Sequence, residues 1–292
     1  MPAKWFTCPN GNQVEIKECL KGCPNGERCM VVPGLKAVGK TRAFYGLPSV
    51  TQLLQPTLSA YLAIKYDYAI NPMNAIASMI GTQSHSLMEN NSPNGWLSEV
   101  RLADDICSGQ FDAVDLRNKT LIDFKFFGAY RVAGALGYRG RWQKVGQYVK
   151  GKNKGQDKWQ MVYEPGGVRD ILEIAIQLSY YRKLLADHGI DVDKIKVQMF
   201  VRGGLDKVAQ SYGLTRMSYV IPIFPLPIRH VRKFMQIKHD RLMNALESGI
   251  CPPVCSESER WSSKSRPDYK CHNYCNSNIN CPYYQEHYGK KQ

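Results

Sequence analysis

Two short runs that read as paired strands constrain this chain more than any other feature. Gly109-Gln110-Phe111-Asp112-Ala113-Val114-Asp115 is followed by Leu116-Arg117-Asn118-Lys119 and then by Thr120-Leu121-Ile122-Asp123-Phe124-Lys125. β-Branched and aromatic residues alternate with polar ones on both sides of Asn118, the pattern of a hairpin closed by the intervening loop. A loop symmetric about its middle sets Asp112 directly across from Asp123. Because side chains alternate between faces along a strand, Ile122, Phe124 and Phe126 share one face, and Asp123 and Lys125 share the other. Two carboxylates and a lysine thus converge, while Asp115 falls on the opposite face. Opposed like charges, with Cβ atoms roughly 5 Å apart, destabilise a hairpin unless something positive sits between them. A divalent ion supplies that charge, and Mg²⁺ accepts one or two carboxylates while keeping waters and binding phosphate oxygens. The bland alternative is a surface turn with its polar face in water.

The charge balance favours a polyanionic partner. Lys plus Arg is 39 against 25 Asp plus Glu, a formal charge of +14 over 292 residues, which points first to nucleic acid and second to an anionic membrane. The excess is concentrated. Arg139, Arg141, Lys144, Lys150, Lys152, Lys154 and Lys158 lie between Arg131 and Trp159 with Asp157 as the one acid, and Tyr138, Trp142, Tyr148 and Trp159 are interleaved. Aromatic rings among cations suit a groove for single strands. Gly137, Gly140, Gly146, Gly151 and Gly155 make this stretch, about 136–165, read as a mobile loop inserted into the core. Met1-Pro2-Ala3-Lys4 leads into polar sequence without an apolar leader segment, and no apolar run approaches the roughly 20 residues of a membrane span. The expectation is a protein of the cytoplasm, that of a bacterium or of a phage-infected host, with no membrane partner.

Nine of the ten cysteines lie at the two ends of the chain, Cys8, Cys19, Cys23 and Cys29 at one and Cys251, Cys255, Cys271, Cys275 and Cys281 at the other. The spacing C-x3-C-x5-C occurs at both, in Cys19-Cys23-Cys29 and Cys271-Cys275-Cys281. Without an oxidising compartment, metal sites are favoured over disulfides. Four thiolates hold either Zn²⁺ or an iron–sulphur cluster, and spacing does not choose between them. For the tail, Cys255, Cys271, Cys275 and Cys281 are the favoured set. Cys107, beside the hairpin, reads as a buried small hydrophobe.

The rest of the chain reads as helix, three strands, helix, strand. Ser49 is the expected N-cap of a helix carrying Leu53, Leu54, Leu58 and Leu62, and a second helix follows Pro72 through Ile76 to Glu89. A strand with Val100 and Leu102 leads to the hairpin. Val168 to Leu185 is periodic, with Ile171, Leu172, Ile174, Ala175 and Leu178 expected buried and Gln177 and Tyr181 one turn apart. Strands are expected at 196–201 and 219–223, and a helix from Ile228 to Leu246 leads to the tail. This order implies an α/β fold on a mixed sheet. The expected divisions are a cysteine-rich module over 1–35, a core over 36–250 and a cysteine-rich tail over 251–292.

Taken together, these elements resemble the PD-(D/E)xK nuclease superfamily, in its RecB-like branch. Gly81-Thr82-Gln83-Ser84-His85, with Leu87 and Glu89, is similar to the branch's GTxxHxxLE helix. Gly109 to Asp112 is similar to its GxxD element, with Phe111 in place of proline. Asp123-Phe124-Lys125 matches D-x-K, and Gln177 with Tyr181 matches QxxxY. The tail resembles that of the iron–sulphur nucleases of helicase–nuclease complexes and CRISPR adaptation, although those use C-x2-C-x5-C. The N-terminal pattern also recurs in phage and bacterial proteins of this type.

The resemblance implies a restriction-endonuclease-like αβββαβ core with cysteine-rich metal modules at both ends. It implies Mg²⁺ or Mn²⁺ held by His85, Asp112, Asp123 and the Phe124 carbonyl, with Lys125 as the catalytic cation. It implies a [4Fe–4S] cluster or Zn²⁺ on the tail cysteines; for Cys8, Cys19, Cys23 and Cys29 the resemblance supplies no function, and the four thiols themselves suggest an additional Zn²⁺ or cluster site. Gln177, Tyr181 and the basic insertion (Arg139, Arg141, Trp142, Lys144, Lys150, Lys152, Lys154) would hold single-stranded DNA or duplex ends. Glu99 is a candidate for a second metal or a water, against a plain solvated residue. The activity implied is a metal-dependent deoxyribonuclease, an exonuclease in recombination, repair or end processing, partnered by a helicase or recombination protein. The rivals are a nuclease fold that grips DNA ends without cutting, and a zinc-stabilised DNA-binding regulator.

Overall fold

The computed structural model describes residues 3–40, 43–164 and 166–289; Pro165, the expected end of the basic insertion, lies outside them, as do the first two and last three residues. The chain opens with β1 (Ala3–Thr7), β2 (Gln13–Glu15), α1 (Ile16–Lys21) and α2 (Val32–Val38). Next come α3 (Val50–Leu54), α4 (Thr57–Lys65), β3 (Tyr68–Ile70) and α5 (Ile76–Asn90). The strands β4 (Trp96–Ser98), β5 (Arg101–Ala103), β6 (Ser108–Gln110), β7 (Ala113–Asp115) and β8 (Thr120–Gly128) follow, then α6 (Ala129–Ala135). β9 (Arg139–Gln147) and β10 (Asp157–Glu164) precede α7 (Leu172–Asp187), β11 (Lys194–Arg202), α8 (Lys207–Ser211) and β12 (Ser218–Ile223). α9 (Ile228–Ser248) leads to α10 (Glu257–Arg260), α11 (Tyr269–Asn273), a 3-10 turn (Asn278–Asn280) and α12 (Pro282–Tyr288).

Contacts divide the chain into two units, each built from separated stretches. One comprises the described residues of Met1–Leu87, Arg101–Gly109 and Arg229–Gln292. In it β1 pairs antiparallel with β2 and parallel with β3, over a small core of Phe6, Cys19, Leu35 and Val38. α9 buries Val231, Met235, Leu242 and Ala245, a helical stripe at spacings of four, seven and three.

The other unit comprises Met88–Val100 and Gln110–Ile228. It is a mixed five-stranded sheet in the order β12-β11-β8-β7-β4, parallel only between β11 and β8. A parallel pair needs a long crossover, and here the crossover carries α6, the β9–β10 pair and α7. α7 packs on β8, and α6 on β8 and β11, so helices flank the sheet of an α/β fold, as expected. Leu178, Tyr180, Leu184 and Leu185 of α7 are fully enclosed. Burial of each leucine stabilises by about 1.5–3 kcal/mol relative to exposure.

Four expectations require correction. The helix expected from Ser49 through Leu62 is two helices, because Pro56 drives Gln55 to an extended conformation at ψ 159°. Ser49 still caps the first through a capping box with Gln52. α7 begins at Leu172 rather than Val168, since Asp170 has φ 49°; Leu172 is exposed and Ile171 half-buried. The strand expected through Val100 is broken, because Glu99 takes a left-handed φ of 54°. The basic segment is a ribbon of regular strands, not a loop: β9 and β10 pair antiparallel over their whole length, with one irregularity between Lys158 and Trp159.

Candidate functional site

The hairpin is formed in the expected register. Ala113 pairs with Ile122, Val114 with Leu121 and Asp115 with Thr120, which brings Asp112, just before β7, alongside the Asp123–Phe124 segment of β8. Asp115 is used by the turn, accepting hydrogen bonds from the Asn118 backbone and side-chain amides. Asp112 Oδ2 accepts the Phe124 N–H at 2.7 Å, and Lys125 Nζ donates to Asp123 Oδ1 at 2.7 Å. Asp123 is 1% exposed, so its charge depends on compensation within the protein. Burial alone would push Lys125 down. The charges of Asp123 and Asp112 and the hydrogen bond to Asp123 outweigh burial and raise it above its ordinary value. The ammonium is therefore charged at neutral pH and responds to both carboxylates.

Glu99 joins this cluster through a backbone that costs about 1–3 kcal/mol to hold. Its N–H donates to the Asp112 carbonyl at 3.0 Å. Its Oε2 accepts from Gln110 Nε2 at 2.6 Å. A carboxylate oxygen of Glu99 lies within 4.8 Å of one of Asp112. The sequence offers Glu99 both as a candidate for a second metal or a water and as a solvated strand residue; the break at φ 54° that seats it beside Asp112 has no signature without glycine or asparagine. Glu99 and Asp112 bring carboxylate oxygens close enough to share a cation, Asp123 sits on the neighbouring strand paired with Lys125, and such hard oxygens fit a divalent cation of the Mg²⁺ or Mn²⁺ kind. His85 lies half-buried on α5, in the unit that holds the cysteine modules.

On α7, Gln177 Nε2 donates to the Tyr181 hydroxyl at 3.1 Å. Tyr181 is buried and Gln177 half-buried, so Gln177 is the more accessible of the two. The β9–β10 ribbon presents the basic residues. Trp142 pairs with Met161 and Lys144 with Trp159; residues two apart share a face, so Trp142, Lys144 and Trp159 lie on one side. The two tryptophans are 64% and 54% exposed. Lys144 is paired with Asp157 and Arg141 with Glu164, each at 2.7 Å. Arg139, Lys150, Lys152 and Lys154 are exposed.

At the end of the chain, Cys255, Cys271, Cys275 and Cys281 line one cavity of about 30 Å³ with Leu58 and Leu62, and exposed Cys251 is not among its walls. Burial, then Glu259 and the other three thiols, push Cys255 up to about 11; burial, then Cys275, Asp268 and Cys281, do the same to Cys271. Four mutually repelling thiolates around one cavity fit a thiophilic cation. Asp268 fastens this region, accepting from Arg260 Nε at 2.7 Å, Tyr283 at 2.7 Å and Tyr288 at 2.9 Å. Neither Asp268 nor Arg260 stands out in sequence, since their pairing follows from a chain reversal rather than a motif. At the other end, Cys8 and Cys19 are buried and Cys23 and Cys29 half-buried. Burial, then the neighbouring thiols, raise Cys8 and Cys19. Among the described residues no three cysteine sulfurs lie within 4.8 Å of one another.

No family model and no curated protein matches this chain. Among solved structures, a protein designated SSO0001 is 15% identical with a TM-score of 0.42, the match covering 92% of this chain and 97% of that one. A phage-related exonuclease from Haemophilus somnus 129PT is 9% identical with a TM-score of 0.40, over 70% of this chain and 97% of that one. Likeness at this distance leaves the chemistry to be argued from the side chains. No described helix is long and apolar enough to cross a membrane.

Proposed function

We propose that this chain is a Mg²⁺- or Mn²⁺-dependent deoxyribonuclease that hydrolyses phosphodiester bonds at DNA ends, acting in recombination, repair or end processing beside a helicase or recombinase. The observation that carries the reading is the meeting of Asp112, just before β7, with Asp123 and Lys125 of β8, and Glu99 held beside Asp112 by a strained backbone. The donors for the ion would be Asp112, Asp123 and the Phe124 carbonyl, with His85 as the histidine of the sequence motif. Such an ion supplies Lewis acidity and a water of lowered pKa. Lys125, charged and only partly solvated, offsets negative charge gathering on the phosphate and orients the water. Phe124 N–H holds one oxygen of Asp112 and so fixes the orientation of its carboxylate. Glu99 takes the proton of the attacking water or a second ion. Gln177 and the exposed ribbon grip the backbone and stack bases, giving binding that depends on salt and little on sequence. Cys255, Cys271, Cys275 and Cys281 hold a [4Fe–4S] cluster or Zn²⁺ that closes the tail.

End-labelled single- and double-stranded DNA, linear and circular, incubated with each metal tests this. Linear DNA is expected to shorten, and Lys125→Met to slow cleavage by about 10²–10³-fold while circular dichroism stays unchanged. Folded wild-type protein that binds ends and cuts nothing would establish the end-gripping module instead.

A further inference from the structure

The N-terminal unit contains the same four residues twice. Cys8-Pro9-Asn10-Gly11 and Cys23-Pro24-Asn25-Gly26 fold into the same turn. In each, the glycine N–H returns to the cysteine carbonyl, at 2.9 Å from Gly11 and 3.1 Å from Gly26. Both glycines have φ +86°, a value strained for any L side chain. Proline presets the bend at the second position. The two turns touch: Asn10 Nδ2 donates to Asn25 Oδ1 at 3.3 Å, and the Asn25 side chain also hydrogen-bonds the Cys8 thiol. Each turn therefore presents one thiol from a rigid corner, with a side-chain amide between them.

Two further thiols complete the set. Cys19 comes from α1, inside the core with Phe6, Leu35 and Val38, and Cys29 packs against the same cluster. Arg28 ties the intervening loop to the end of α1 by donating to the Lys21 carbonyl at 3.2 Å. The fully buried core here is four residues, edged by partly buried ones such as Val14, Ile16 and Ile70, and a structural ion adds stability where apolar area is small.

We infer that Cys8, Cys19, Cys23 and Cys29 form a structural zinc site, separate from the tail cysteines and independent of any catalytic ion, in which the paired Cys-Pro-Asn-Gly turns each supply one ligand. Thiolates on one tetrahedral zinc, at Zn–S of about 2.3 Å, stand roughly 3.8 Å apart. With no three described sulfurs within 4.8 Å, the ion draws the turns and α1 together as it binds. The four thiols give their protons to solvent in that step, so uptake is accompanied by acid release.

Metal content of full-length protein decides the matter. Wild type is expected to carry one more zinc per chain than a Cys8→Ser/Cys23→Ser variant, whereas Cys271→Ser/Cys275→Ser removes only the tail's metal. The N-terminal variant should keep that tail metal, which shows that the rest of the chain has folded. Co²⁺ added to metal-free Cys271→Ser/Cys275→Ser protein should give intense thiolate-to-metal absorption and tetrahedral d–d bands. The inference is overturned if the N-terminal double variant retains all its zinc, if iron and sulfide are lost in place of zinc, or if Co²⁺ gives no thiolate bands. None of these readouts depends on DNA cleavage.

Discussion

Replacing Asp268 by asparagine tests how the cysteine-bearing tail is held. Asp268 is 2% exposed and has a left-handed φ of 47°, which asparagine tolerates as well as aspartate. The substitution therefore changes charge without changing shape. Arg260, whose side chain is 13% exposed, would lose its counterion while still lying over the Tyr283 ring at 4.5 Å and donating to the Cys255 carbonyl. Breaking a buried ion pair from one side costs about 3–5 kcal/mol; with the asparagine carbonyl still accepting, about 3 kcal/mol is expected. Hydrogen exchange of the backbone amides in 255–288 reads this directly, as protection lost there and kept in β8 and β11. Arg260→Leu combined with Asp268→Asn should recover part of the loss. Additive costs, or a loss under about 1 kcal/mol in the single variant, would refute the assignment of Asp268 as the fastener. Burial alone would raise the Asp268 pKa, but hydrogen bonds from Arg260, Tyr283, Tyr288 and Ser262 hold it below the ordinary carboxylate range. A depressed folded-state pKa means the stabilisation is present above about pH 4 and is lost as pH falls further.

Two other outcomes are expected. Trp142→Ala and Trp159→Ala should each weaken binding of single-stranded DNA by about 1–3 kcal/mol, seen by fluorescence anisotropy, with thermal unfolding unchanged because both rings stand on an exposed ribbon. Because burial and neighbouring thiols push Cys255 and Cys271 up to about 11, these thiols are protonated at neutral pH unless a cation holds them. Metal bound by the tail should therefore be retained against a fixed chelator concentration at pH 8 and released as pH is lowered, followed by elemental analysis after desalting. Equal retention at pH 6 and 8 would argue against thiolate ligation.

Local pattern was sufficient wherever one residue's neighbours in sequence are also its neighbours in space. Asp112, Asp123 and Lys125 are a case of this, since a four-residue loop and a side-chain period of two leave a single register. Gln177 and Tyr181 are another, one helical turn apart. The same holds for Ser49 as a cap, and for β11, β12 and α9, whose expected bounds lie within two residues of those observed.

Tertiary structure decided whatever depends on a backbone reversal or on long-range pairing. Glu99 reaches Asp112 only because its φ is left-handed, and alternation of polar and apolar residues carries no trace of that. The glycine-rich basic stretch reads as a loop, yet β9 and β10 pair because each satisfies the other's backbone groups, a nonlocal gain that propensity does not record. Cysteine spacing marked two groups of thiols. The sequence favoured Cys255 with Cys271, Cys275 and Cys281, and these four line one cavity; the fold alone set the two Cys-Pro-Asn-Gly turns against each other and buried Asp268 among Arg260, Tyr283 and Tyr288. Local chemistry thus chose which residues are able to act, and packing chose which of them meet.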